Sequence, residues 1–157
     1  MRNAVASSAI AAAFGAGLVV TRLVPHADAQ TPAPPALTPQ IIHLADMKDE
    51  EIGPFVNNTD LRDLRSRTLV RTEFGTVAVQ SGNVPKHFHA DANEIQIILD
   101  GSGSFWLGDK EVQVKPGDFI IIPKGVPHAG SHTAGGRIRA IAIKLPPQRP
   151  DDTHLLP

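Results

Sequence analysis

The 157-residue sequence contains no cysteine. That excludes disulfides, thiolate zinc sites, cysteine nucleophiles and iron–sulfur clusters, and with them an acylated-cysteine membrane anchor. An excess of one charge is missing too: 15 Lys+Arg stand against 16 Asp+Glu, for a formal net charge of −1. A protein built to bind nucleic acid needs a basic stripe, so no nucleic-acid partner is expected. No internal repeat of solenoid length is present. What remains is an ordinary globular composition, 41 % hydrophobic and 20 % charged, at the length of one domain. With thiolates gone, the seven histidines and the carboxylates are the strong metal ligands available.

Residues 1–29 read as a signal peptide. Met1-Arg2-Asn3 is a short positive start, Ala4 to Val20 is an uncharged run of 17 residues, and Ala27-Asp28-Ala29 is the small-x-small pattern of a cleavage site. The competing reading is an uncleaved anchor. The run is short for a membrane span and rich in weakly apolar Ala and Gly, so cleavage after Ala29 is the expectation. The mature protein is then periplasmic or secreted, with no membrane contact. Residues 30–39 hold four prolines and form an extended linker. The domain spans 40–157, with its core at 68–145.

Ile41, Ile42 and Leu44 are expected to open a first strand, and the charged stretch from Asp46 to Glu51 to lie on the surface. A short helix capped by Thr59 or Asp60 is considered for Asn57 to Arg67. From Thr68 the chain is β-prone. Strands are expected at Thr68–Phe74, Thr76–Gln80, Glu94–Leu99, Ser104–Leu107, Glu111–Val114, Asp118–Ile122 and Arg137–Leu145. Turn signals such as Ser81-Gly82-Asn83, Asp100-Gly101 and Pro116-Gly117 separate them. Gly108-Asp109 fits a two-residue hairpin with Gly at its first central position. Many short strands and no helix-length apolar pattern indicate an all-β sandwich or barrel rather than a parallel α/β sheet.

His87 and His89 are two apart, which puts both imidazoles on one face of a strand. Glu94 follows after a short polar turn, and His128 lies beyond a Pro-x-Gly turn. Two imidazoles and a carboxylate from adjacent strands, joined by a third imidazole, can converge on one point. A lone histidine is more often a surface or satisfied core residue; three with a glutamate at these spacings are a candidate metal site.

These residues stand in a pattern that resembles a known family. Gly82-Asn-Val-Pro-Lys-His87-Phe-His89-Ala-Asp-Ala-Asn-Glu94, running on to Gly101, is similar to the first motif of the cupin superfamily. Gly117-Asp-Phe-Ile-Ile-Ile-Pro123-Lys-Gly125-Val-Pro-His128 is similar to the second, and the 15 residues from Ser102 to Pro116 match the compact spacing of small single-domain cupins. The first motif is one residue short between Gly82 and His87, and His132 stands where the second often has Asn. The resemblance implies a single cupin β-barrel of the jelly-roll type. It also implies one divalent transition metal, Fe, Mn, Ni, Co, Cu or Zn, held by His87, His89, Glu94 and His128 with a coordination position left open.

Gln96 shares the inward face of its strand with Glu94, where it would touch a substrate or only support a ligand. His132 is a second candidate for substrate contact, weighed against a solvent-exposed loop histidine. Arg137 and Arg139 alternate on one strand and are read as a solvated outer face rather than an anion site. The tail from Pro146 either covers the barrel mouth or hangs free. Cupins include enzymes and inert binders. The leading expectation is a metal-dependent, dioxygenase-like enzyme acting on a small organic molecule. The alternatives are a non-catalytic periplasmic sugar- or small-ligand-binding module, and a metal-dependent isomerase or lyase. Pairing into a homodimer is a further expectation, because one sheet face needs cover.

Overall fold

The computed structural model describes residues 36–56, 61, 63–133 and 136–157. Residues 1–35, where a signal peptide and the start of a linker are expected, lie outside these. Among the described residues one short helix, α1 (Asp49–Ile52), precedes ten strands. They are β1 (Leu64–Arg71), β2 (Thr76–Gly82), β3 (His87–Phe88), β4 (Asn93–Asp100), β5 (Gly103–Leu107), β6 (Lys110–Val114), β7 (Phe119–Ile122), β8 (His128–Thr133), β9 (Ile138–Leu145) and β10 (His154–Leu155). No helix among them is long and apolar enough to cross a membrane.

The strands form two antiparallel five-stranded sheets, ordered β1-β2-β9-β4-β7 and β10-β3-β8-β5-β6, in a jelly-roll arrangement. Alternation along each strand explains the layering. On β4, Glu94, Gln96 and Ile98 are buried and point between the sheets. Ile98, Ile120, Ile122, Ile138 and Ala140 of the first sheet meet Phe105, Val114 and Ala129 of the second in the inner core. The opposite face of the first sheet makes a second core. There Val79 and Ile141 pack with Met47 and Ile52, and Ile42, Leu44, Ile97 and Ile143 flank them. Arg139 fastens this cover by donating to the Met47 carbonyl at 2.8 Å and the Asp49 carboxylate at 2.6 Å. Arg137 bonds Asp63 at 2.9 Å.

Several expectations change. Ile41 to Leu44 form no strand; Ile42 and Leu44 pack over the outer face of the first sheet, and Ile41 is exposed. The stretch 46–51, expected on the surface, contains the buried Met47 and the first three residues of α1. Leu64–Arg67 is not helical but opens β1, paired with β2 from Leu64↔Gly82 onward. Ser81-Gly82 belongs to β2 rather than to a turn. Both arginines lie on the outer side as expected, but in ion pairs with the N-terminal cover rather than free in solvent. Because the chain's own residues 42–52 cover that face, its need for cover no longer argues for pairing. His132 sits on β8 opposite Ser104, not in a loop; its side chain lies outside the described residues. The Gly108-Asp109 hairpin is present, with Leu107↔Lys110 closing it and Gly108 at φ 66°.

Glycine is required where backbones touch. Gly101 adopts φ 81°, and a Cβ there would lie 2.3 Å from the Arg137 carbonyl oxygen.

Candidate metal centre

The structure brings His87, His89, Glu94 and His128 together, with one ligand atom of each within 4.8 Å of all the others. They come from both sheets. His87 on β3 stands directly opposite His128 on β8, His89 follows β3, and Glu94 projects inward from β4. The carboxylate therefore approaches from the facing sheet, not from an adjacent strand of the same one. All four are buried; Glu94 is 2 % exposed and His128 fully enclosed.

The ring orientations are fixed from behind. Each Nδ1 faces a carbonyl oxygen, which can only accept: His87 with Pro85 at 2.8 Å, His128 with Val126 at 3.0 Å, and His89 with Asp152 at 2.6 Å. Nδ1 therefore carries a proton, and each ring turns its Nε2 inward, the atom through which an imidazole binds a metal. Burial, reinforced by the neighbouring His128, pulls the pKa of His87 down to about 3, so that ring is neutral at ordinary pH. Burial raises the pKa of Glu94, but its polar surroundings, the Lys144 ammonium foremost, outweigh it and hold the carboxyl well below its usual value. Nε2 of His89 and of His128 lie 3.1 and 3.0 Å from Glu94 Oε2. Lone pairs so converged need a cation between them. The donor set, three imidazoles and one carboxylate, suits a divalent transition metal. Gln96 donates to Glu94 Oε1 at 3.0 Å, orienting the carboxylate while lining the cavity beside it.

Two residues here escaped the sequence reading. Lys144, on β9 and 6 % exposed, places its Nζ 2.5 Å from both Glu94 Oε2 and His89 Nε2. The signal was present: Ile138, Ala140, Ala142 and Lys144 share one face by period-two spacing, and a lysine in that series is out of place. Asp152 had no such signal. Its fully buried carboxylate accepts from the backbone N–H groups of Ala90, Asp91 and Ala92 at 2.8, 3.0 and 3.1 Å. Those bonds outweigh burial and lower its pKa. The tail thus does not hang free. It returns through β10, pairs with β3, and places Gln148 and Thr153 on the wall of the cavity.

That cavity, about 220 Å³, opens over His87, His89 and Glu94. Its wall mixes apolar side chains, among them Leu64, Val84, Phe105 and Ile138, with uncharged hydrogen-bonding ones.

The family model described as a cupin domain matches residues 74–144, the stretch that carries all four candidate ligands. Residues 74–144 are thus a cupin domain. The cupin is 33 % identical over 70 residues to an uncharacterized protein of Methanocaldococcus jannaschii, covering 45 % of this chain and 56 % of that one. It is 44 % identical over 59 residues to an acireductone dioxygenase of Rhodopseudomonas palustris, 35 % of each chain. The cupin thus spans about half the length of the first of these relatives and about a third of the second. Among solved structures it superposes on the polyketide cyclase RemF from Streptomyces resistomycificus with a TM-score of 0.60 at 22 % identity, over 76 % of this chain and 86 % of that one. A Klebsiella pneumoniae protein with a double-stranded β-helix domain gives 0.51 at 16 % identity, over 64 % and 88 %. These structural likenesses establish the fold.

Proposed function

We propose that this metal-binding cupin is an enzyme of dioxygenase type acting on a small organic molecule that chelates the metal through an enol, carboxylate or catechol-like group. One observation carries the reading: His87, His89 and Glu94, three of the four candidate ligands, line a cavity large enough for a small molecule, with His128 enclosed beside them. The local similarity to acireductone dioxygenases supports it. His87, His89, Glu94 and His128 would hold the ion, one of Fe, Mn, Ni, Co, Cu or Zn. A bound divalent ion supplies Lewis-acid polarisation of a chelating oxygen and, where it is redox-active, a route to dioxygen. The protein's own part is positional. Gln96 and His132 are the candidate substrate contacts, Gln96 from beside Glu94 and His132 from β8. The apolar wall excludes water from the reacting oxygens.

A second reading is a non-catalytic small-ligand or sugar binder, with isomerase or lyase chemistry as a further alternative. What favours it is the wall itself, whose polar groups among the described residues, beyond the ligands and Lys144, are Ser66, Gln80, Gln96, Ser131, Gln148 and Thr153. Oxygen-electrode measurements on protein loaded with Fe(II), Mn(II) or Cu(II), with catechols and enediols as substrates, separate the two. Metal-dependent oxygen uptake that His128→Ala abolishes is the expected result; ligand binding without uptake under any loading would favour the binder. Export is part of the proposal, resting on residues 1–29. Its check is the N-terminal sequence of protein recovered from outside the cytoplasm, expected to begin at Gln30.

A further inference from the structure

His89 Nε2 has one lone pair, and Lys144 is positioned to donate to it and to Glu94 Oε2. A metal ion drawing on the same two atoms and the Lys144 ammonium cannot be satisfied together, since both are cations and both need that lone pair. We propose that Lys144 is a tethered cation that fills the centre in the absence of metal, is displaced when a divalent ion binds, and then anchors an anionic ligand in the cavity. The inference rests on the metal-binding reading above.

Three observations support it. Lys144 emerges from β9 deep in the barrel and is itself part of the cavity wall, so the ammonium has open space beside it. The other nearby anion is already committed: the Asp152 carboxylate accepts from three backbone N–H groups. Finally, histidines aside, Glu94 and Lys144 are the charged side chains on that wall among the described residues. Without metal their charges cancel. With a divalent ion bound, the buried centre carries excess positive charge, and among the described residues the rest of the wall offers no anion to neutralise it. A carboxylate or enolate small enough for about 220 Å³ would bind the metal through one oxygen and take the ammonium on another.

The test uses Lys144→Met, which keeps the length and removes the charge, and Lys144→Gln, which can still donate to Glu94 if the methionine variant does not fold. Zinc titrated calorimetrically into the metal-free proteins should bind the variants about tenfold more tightly than wild type, and the metal-free variants should melt lower. The zinc-loaded wild type should bind pyruvate about tenfold more tightly than its neutral isostere pyruvamide, a preference both variants lose. Unchanged or weaker zinc affinity in the variants would overturn the competition, and equal binding of the two probes would overturn the anion anchor. If the variants take up zinc while the wild type takes none, the tethered cation stands and the metal-dependent function of the wild type falls. If none takes up zinc, both fall.

Discussion

An imidazole that is to bind a metal must stay neutral, and burial achieves this for His87 by holding its pKa at about 3. An unfolded histidine titrates near about 6.5. As pH falls from there towards about 3, the unfolded chain takes up a proton that the folded protein refuses, so the stability of the metal-free protein drops. Glu94 acts in the same direction at lower pH. Its folded carboxyl is held below 4.5, and the stability this gives is lost as acid protonates the unfolded carboxylate. Melting temperatures of chelator-treated protein should therefore fall steadily from pH 7 to pH 4, less steeply at the upper end in His87→Gln. A flat profile would contradict the buried neutral ring. With metal present the same residues give a second outcome. Native protein should contain about one divalent ion per chain, and His87→Ala or His128→Ala should lose both the ion and the rise in melting temperature that added metal gives wild type. Elemental analysis and a melt with and without zinc decide it.

The strands that carry His87 and His128 are short, and their placement depends on the C-terminal segment. β10 pairs with β3 through His154↔Phe88 and Leu155↔His87, and the Asp152 carbonyl accepts from His89 Nδ1. Asp152→Ala removes three charge-assisted hydrogen bonds to residues 90–92 and should cost about 2–3 kcal/mol. It should also weaken metal affinity, because the segment that holds the Asp152 carbonyl behind His89 loses its anchor to residues 90–92; metal titration of the variant at a temperature where it is folded tests this. None of this was legible. Strands with strong alternation, β2, β4, β5, β6, β7 and β9, could be read within a residue or two. β3 and β10, of two residues each, could not, since they exist only through each other and through β8. The candidate ligands were legible because their spacing is local in sequence. Lys144 and Asp152 reach the site from 50 and 63 residues beyond Glu94 and His89, and period-two alternation marked only Lys144. The N-terminal cover was misread for a related reason: Ile42, Leu44, Met47 and Ile52 have no strand period because they pack as a loop and one helical turn on a sheet formed later in the chain.

The first sheet works on both of its faces, and the division separates stability from function. Glu94, Gln96 and Lys144 share the inner face with the metal centre, while Val79, Ile141 and Ile143 on the outer face hold Met47 and Ile52. Ile52 is 2 % exposed and touches no residue of the centre, so truncating it removes packing from the outer core alone. Ile52→Ala should destabilise by about 2–5 kcal/mol through lost burial and the cavity left behind. Zinc affinity measured below the melting point should not change, because sites without shared partners act nearly independently. Gln96→Ala should do the reverse. It removes the donor that orients Glu94 Oε1, so zinc affinity should fall by about tenfold or more while the outer core stays intact. Measuring both variants by denaturant unfolding and by zinc titration places each on its own face. A large loss of affinity in Ile52→Ala would mean that the N-terminal cover governs the position of β4 and β9, and that the two faces are mechanically one.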